Sequence, residues 1–311
     1  MRLNRLDLNL LIALDALLDE ASVSRAAERV FLSQPAMSNA LARLRAHFGD
    51  QLIVPIGRRM MLTELGISMK GEVRDVMLRI QRLTDTAQGF DAKTEARTFS
   101  LAASDYFVLV ALPRVLAYCA VHAPAIRFDI HPLSGRLSDE LDRGDIDLLI
   151  VPDVFASPAH PKEELFADHW VCMIDRSSAL AGIELDRKAY LDAEHVVKRE
   201  NNAHFPPMEE WVFNQQGIVR RVAVRVPQYG LLPPCLVGTE RIATVQSRLA
   251  DLYAAWLPLA IRPVPITIDP LHEMMQWHSY RQADFGNQWL REMVKLTCAD
   301  LRQGAADASV R

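Results

Sequence analysis

Cysteine is scarce in this chain: Cys119, Cys172, Cys235 and Cys298 are the four among 311 residues, and none lies close to another. A zinc knuckle needs thiolates a few residues apart and a disulfide frame needs a denser set, so these four read as reduced core or surface thiols. Long apolar runs are missing too. No window approaches ~18 consecutive apolar residues, and no basic segment leads into an apolar one at the start, so the reading expects a cytoplasmic chain with no membrane partner. The nine histidines show no ligand spacing, His204 and His278 included, so neither a metal nor another cofactor is expected. Nucleophile elbow, phosphate loop and dinucleotide fingerprint are all absent, and Asp145-Ile-Asp147 suits a turn entering a strand better than a carboxylate dyad. The sequence therefore offers no support for an enzyme.

What is present is ample apolar content, 50% of residues, spread over a length that exceeds one typical domain. The most informative stretch is Ser22 to Phe48. Met37, Ala40, Leu41, Leu44 and Phe48 recur at spacings of three and four and form one apolar stripe. Ser33 stands where an N-cap belongs, and Pro35 falls in the first turn, where a missing N–H costs little. The opposite face carries Pro35, Ser38, Asn39, Ala42, Arg43 and Ala46. An ordinary solvated face carries longer charged side chains. Small alanines let a helix sit deep in the major groove, where Gln34, Ser38 and Asn39 can meet base edges and Arg43 a guanine or a phosphate. A shorter helix precedes it, from Ser22 as cap to about Val30, with Ala26 and Ala27 permitting a close crossing. The plainer alternative, a lone amphipathic surface helix, leaves this paired helix unexplained.

Around this pair, residues 7 to 20 place Leu10, Leu11, Leu14, Leu17 and Leu18 on one stripe, a third helix able to close a small core. After the turn signal Gly49-Asp50, Leu52 to Leu62 reads as two short strands around Gly57, with Arg58 and Arg59 at the tip as a wing on phosphates or in a minor groove. Arg45 joins the candidate contacts. Residues 1 to 62 hold eight arginines and six acids, a net +2 against −6 for the remainder, consistent with a mildly basic head on an acidic body.

Leu6-Asp-Leu-Asn-Leu-Leu, Ser22 to Ala27, Ser33-Gln-Pro-Ala-Met-Ser38, Leu44 to Phe48 and Gly57-Arg58 to Leu62-Thr63 together resemble a LysR-type transcriptional regulator, continuously over about the first 65 residues. Within that family the chain is similar to regulators that respond to aromatic compounds, such as the nodulation regulators that sense flavonoids and the activators of naphthalene and salicylate catabolism. Two positions depart from the family pattern: Pro55 stands near a usual Arg, and Glu64 follows Leu62-Thr63 where Pro is common, which leaves Arg58 as the substitute wing contact. The resemblance implies an activator of genes for a small aromatic compound. It also implies a homodimer or homotetramer on double-stranded DNA, with RNA polymerase as a further partner.

Residues 66 to 97 read as a linker helix and a hinge. Met69, Val73, Val76, Ile80 and Leu83 alternate spacings of four and three, a heptad seam suited to dimerisation; the alternative is a helix packed on its own domain. A two-fold pair of heads predicts an operator that is an interrupted inverted repeat. From Phe99 the pattern becomes alternating strands and helices, which predicts two α/β units with parallel sheets over residues 98–305 and a flexible tail at 306–311. The expected fold is thus α+β and multidomain: a winged helix-turn-helix at 1–65, the linker, and a two-lobed α/β effector domain that, by the family resemblance, is shaped like a periplasmic binding protein.

Ligands in such sheets sit beyond the carboxyl ends of strands, between lobes. That rule nominates Ser104, Asp105 and Phe107 after the first strand, Pro152, Asp153 and Val154 after the third, Asn202, His204 and Phe205 in the second lobe, then Gln228, Tyr229 and Gln246. Ser104, Asn202 and Gln246 could hold a carboxylate or phenolic hydroxyl, and Phe107, Phe205 and Tyr229 could stack on a ring; for each alone, ordinary packing is the alternative. Two other classes stay open: a small-molecule-binding protein, or an enzyme, whose helical head binds a partner rather than DNA.

Overall fold

The computed structural model describes residues 7, 9–57, 59–85, 89–133, 135, 137–199 and 206–302. It divides into two compact units, Met1–Gln88 and Gly89–Arg311. The predicted tail at 306–311 lies outside the described residues.

The first unit orders α1 (Asn9–Glu20), α2 (Val23–Arg29), α3 (Gln34–Phe48), β1 (Ile53–Ile56), β2 (Arg59–Leu62) and α4 (Glu64–Asp85). Leu14 and Leu17 of α1, Ala26 of α2 and Met37 and Leu44 of α3 are fully buried in one core, as the three-and-four spacing requires. Ser22 Oγ accepts from Arg25 N and Ser33 Oγ from Ala36 N, so both helices start where the sequence puts their caps. β1 and β2 pair antiparallel, with Ile56 opposite Arg59. Asp50 Oδ1 accepts from Leu52 N and Thr63 Oγ1, and Thr63 Oγ1 accepts from Gly66 N, a clip that ties the wing's two ends to the start of α4. Position 66 must be glycine, because a Cβ there would lie 2.7 Å from the Leu52 carbonyl oxygen.

The linker helix corrects one expectation. Met69 and Val73 turn toward the head's own core rather than a free seam, and the ion pairs Arg74–Asp15 (2.9 Å) and Lys70–Asp19 (3.1 Å) hold that half of α4 on α1. Val76 is exposed and Ile80 half-buried. Leu83 lies within α4.

The second unit holds β3 (Thr98–Ala103), α5 (Asp105–Val110), α6 (Leu112–His122), β4 (Arg127–Pro132), α7 (Leu137–Asp142), β5 (Leu148–Pro152), β6 (Lys162–Asp168), β7 (Trp170–Asp175), α8 (Arg187–Asp192), β8 (Glu194–Lys198), α9 (Met208–Gln215), β9 (Arg221–Val226), β10 (Ile242–Gln246), α10 (Ser247–Ala254), β11 (Leu259–Pro263), β12 (Leu271–Gln276) and α11 (Phe285–Thr297). Two five-stranded sheets form, ordered β4-β3-β5-β12-β6 and β11-β7-β10-β8-β9. The lobes are therefore two, as expected, but neither sheet is wholly parallel. β12 runs antiparallel to β5 and β6, and β7 antiparallel to β10 and β11, because the chain crosses between lobes at β6–β7 and again at β11–β12. One apolar cluster runs through both lobes, joining Phe99, Leu101 and Ile150 to Met173, Val245 and Leu249.

Proline explains two local departures. A single helix over Val108–Val121 is expected, but Pro113 in the first turn of α6 marks a fresh start after α5. The helix expected at Gly230–Leu236 is two 3-10 turns, Tyr229–Leu231 and Pro233–Leu236. Cys119, Cys172 and Cys298 are buried free thiols, the second pushed by burial up to about 12 and the third up to about 11.

Candidate DNA-reading face and effector cavity

The first turn and outer face of α3 are open to solvent: Ser33, Gln34, Pro35, Ser38, Asn39 and Arg43 are all exposed, while Met37, Ala40, Leu41 and Leu44 point inward. Short polar groups and backbone N–H groups at a helix N-terminus can approach a phosphate or a base edge without a long side chain in the way. Arg43 is half-exposed and rests on Asp7 at 3.3 Å, which presents its guanidinium from a fixed side. A hydrogen bond from Asn9 N, together with Arg43, holds the Asp7 carboxyl below the usual carboxylate range. Arg59 is exposed on β2. Arg58 lies outside the described residues.

Arg45 is a correction. Its guanidinium donates to the carbonyl oxygens of Gln51 and Ile53, both at 2.9 Å, so it clamps the wing to α3 instead of reaching outward. With Phe48 and Leu44 directed inward, position 45 falls on the flank of α3 that faces the wing.

In the second unit a cavity of about 440 Å³ opens between the lobes. Of the predicted residues it brings together Ser104, Asp105, Pro152, Gln228, Tyr229 and Gln246. Three others lie elsewhere. Phe107 is buried in the core beneath α5, because the turn that sets Asp105 toward the cavity carries Phe107 the other way. Asp153 and Val154 are exposed, with Asp153 paired to Lys162 at 2.6 Å. Asn202, His204 and Phe205 fall outside the described residues. Gln246 is the last residue of β10 rather than a loop residue, and is 2% exposed.

Most of the polar wall is held by its own contacts. Ser104 Oγ caps α5 by accepting from Phe107 N, and Asp105 Oδ2 accepts from Gly230 N at 3.0 Å across the cleft. Gly230 sits tightly there, since a Cβ would lie 2.8 Å from Leu109 and 3.2 Å from the Tyr253 hydroxyl. Burial pushes the Asp105 carboxyl up, against the pull of the Gly230 N–H and the charge of Lys198. Tyr229 donates to Glu209 Oε2 at 2.8 Å, and the Lys198 ammonium lies 5.0 Å from the centre of the Tyr229 ring. Burial raises both Glu209 and Tyr229, with Arg220 opposing the rise at Glu209.

Just outside the cavity, Asp168 gathers the elements around the crossover. Its carboxylate accepts from the Tyr106 hydroxyl at 2.5 Å, from Ser247 Oγ and from His169 N, and pairs with Arg248 at 3.1 Å.

Lining residues that sequence reading missed include His131, Pro132 and Leu133 at the end of β4, Lys198 at the end of β8, and Glu273 in β12. The first three follow a parallel strand and satisfy the strand-end rule once β4 is extended to Pro132. Glu273 does not, because it lies within an antiparallel strand that returns from the other lobe.

Comparison with known proteins agrees with this architecture. Residues 8–67 match the bacterial regulatory helix-turn-helix protein, lysR family, and residues 92–299 match the LysR substrate binding domain. Nodulation protein D 2 of Rhizobium tropici is 40% identical over 294 residues, covering 94% of this chain and 93% of that protein. Among solved structures, the probable transcriptional regulator PA0477 of Pseudomonas aeruginosa is 26% identical with a TM-score of 0.64, over 94% of this chain and 97% of that one. Full-length CbnR complexed with its target DNA shares the fold, at 18% identity and a TM-score of 0.51, over 94% of this chain and 100% of that one. With an exposed helix face in the first unit and a cleft between two mixed sheets in the second, this chain belongs to the LysR family of DNA-binding transcriptional regulators.

Proposed function

We propose that this regulator is an effector-responsive activator whose effector is a small aromatic compound of the flavonoid type, bound in the cavity between its lobes, and whose targets are genes for handling that compound. The observation that carries the reading is the cavity itself. It has the size of a small-ligand site and combines an apolar wall with a few convergent polar groups, including Tyr229, Gln246 and Glu273. The likeness to a nodulation protein D along nearly the whole chain supports the flavonoid class over others.

In this reading the heads pair as a two-fold dimer on an interrupted inverted repeat, with α3 of each head in a major groove and RNA polymerase as the downstream partner. Pairing uses the second half of α4, from Val76 through Ile80 to Leu83. Effector binding shifts the balance of lobe arrangements, and with it the spacing of the heads and the bend in the DNA.

The test is fluorescence anisotropy of the purified protein on duplex DNA from upstream of its own gene, against scrambled duplex at two salt concentrations, with and without hydroxyflavones, hydroxybenzoates and chlorinated phenols. Sequence-preferring binding altered by one aromatic class supports the reading. Binding indifferent to every aromatic class removes the effector assignment. Ile80→Asp is expected to shift sedimentation toward a smaller species; an unchanged oligomer would remove α4 from the dimer interface.

A further inference from the structure

Each of the two sheets contributes to the cavity a polar side chain with an oxygen left unsatisfied among the described residues. Glu273 comes from β12 in the first lobe and is 1% exposed; Gln246 comes from β10 in the second and is 2% exposed. Both line the cavity, and Glu273 Oε2 and Gln246 Oε1 have no hydrogen-bond partner among the described residues. Their polar neighbours are committed: Ser104 to the cap of α5, Asp105 to Gly230, and Tyr229 to Glu209. Buried polar atoms are almost always paired, so two orphans, one from each lobe, lining one cavity mark groups awaiting a partner that enters it.

Resting on the reading of this cavity as the effector site, we propose that Glu273 is a specificity-determining residue. It carries its proton and donates a hydrogen bond to a carbonyl of the effector, while the Gln246 amide oxygen accepts from a hydroxyl. The pair thereby selects an uncharged hydroxylated aromatic ketone over an aromatic carboxylate.

The surroundings of Glu273 argue for the proton. Its register partners, Pro152 on β5 and Phe166 on β6, bring no charge. Asp168, at the end of β6, is the charge that acts on it; Tyr106 of α5 and Cys298 beyond α11 are neutral groups that feel it in turn. The guanidinium of Arg248 is paired with Asp168, and across the cavity Lys198 lies over the Tyr229 ring while Asp105 adds a second acid. On the same strand, His272 is directed to Glu164 at 3.3 Å. Burial and the Asp168 charge together push the Glu273 carboxyl up to about 8. A protonated acid in an apolar wall is a hydrogen-bond donor at neutral pH. A carboxylate ligand would instead bring a further negative charge beside Asp105 and Asp168.

The experiment titrates the full-length protein with 3-hydroxyflavanone, whose ketone and aliphatic hydroxyl stay uncharged from pH 6.5 to 9.5, and with a flavone bearing a carboxylate. Binding is read by calorimetry, in the wild type and in Glu273→Gln. The expected result is flavanone affinity that falls about tenfold or more between pH 6.5 and 9.5 in the wild type, a flat profile in Glu273→Gln, which keeps a donor but cannot titrate, and carboxylate binding at least about tenfold weaker at pH 6.5. The infrared spectrum of the wild type without ligand reads the same point without a variant: a protonated-carboxyl band is present at pH 6.5 and weakened at 9.5, and saturating 3-hydroxyflavanone restores it at 9.5. A flat wild-type profile, an equal fall in Glu273→Gln, or preference for the carboxylate overturns the role of Glu273 while the cavity stands as an effector site. Binding of neither compound at any pH, by protein that still binds its operator, overturns both readings.

Discussion

The two units of this molecule keep their chemistry in opposite places. In the head, Gln34, Ser38, Asn39 and Arg43 stand on the outside of one helix within ten residues of each other, exposed, with Arg43 resting on Asp7. In the effector unit, Ser104, Gln246 and Glu273 come from three strand ends or strands far apart in the chain and meet in the interior. A surface that reads DNA needs local periodicity and exposure. A cavity that reads a small molecule needs topology, and its polar groups bear the full cost of burial, so substitutions in the two units should fail in different ways.

The largest expected effect is at the crossover. Asp168→Ala strips Arg248, Ser247 and Tyr106 of their shared acceptor and leaves a part-buried guanidinium unpaired; roughly 3–5 kcal/mol of stability is expected to go, read by urea melts of the effector unit's tryptophan fluorescence. Operator binding measured below the melt should survive if the contrast between units is sound.

Next is Glu273→Gln. The carboxyl has an unfolded-state value of 4.5 and is pushed up to about 8 in the fold, so the folded state holds the proton that the unfolded state gives up. Its contribution is whole below about pH 4.5, erodes as pH rises toward 8 and is gone above it. The variant is expected to gain on the wild type by up to about 4 kcal/mol between pH 4.5 and pH 9, and a difference in Tm that ignores pH would contradict this.

The smallest effects sharpen the contrast inside the head. Arg43→Ala is expected to weaken operator binding by about 1–3 kcal/mol with little change in Tm. Arg45→Ala, which frees the Gln51 and Ile53 carbonyls, is expected to lower head stability by about 1–2 kcal/mol and to affect DNA binding only through the loosened wing. Equal losses of affinity at constant stability for both variants would return Arg45 to the DNA face.

How much was legible in sequence follows the same division. The caps Ser22 and Ser33, the stripe Met37–Leu44 and the wing strands are local patterns, and the structure places each where the pattern does. On α4, Met69 and Val73 fit a heptad and equally fit a helix packed on its own domain, and the structure sets them against the head's core; periodicity alone does not name the partner. In the effector unit the strand-end rule found Ser104, Asp105 and Tyr229. It missed Glu273 because that residue lies within β12, whose antiparallel return between β5 and β6 is a matter of topology that no local pattern states.

The apolar cluster shared by both lobes carries a final consequence. Parting the lobes widely would expose that cluster to water at roughly 25 cal/mol per Å², so even about 400 Å² of newly wetted surface would cost as much as a whole domain's stability. The two lobes are therefore held as one body, and motions that widen the cavity are confined to those that leave this cluster covered.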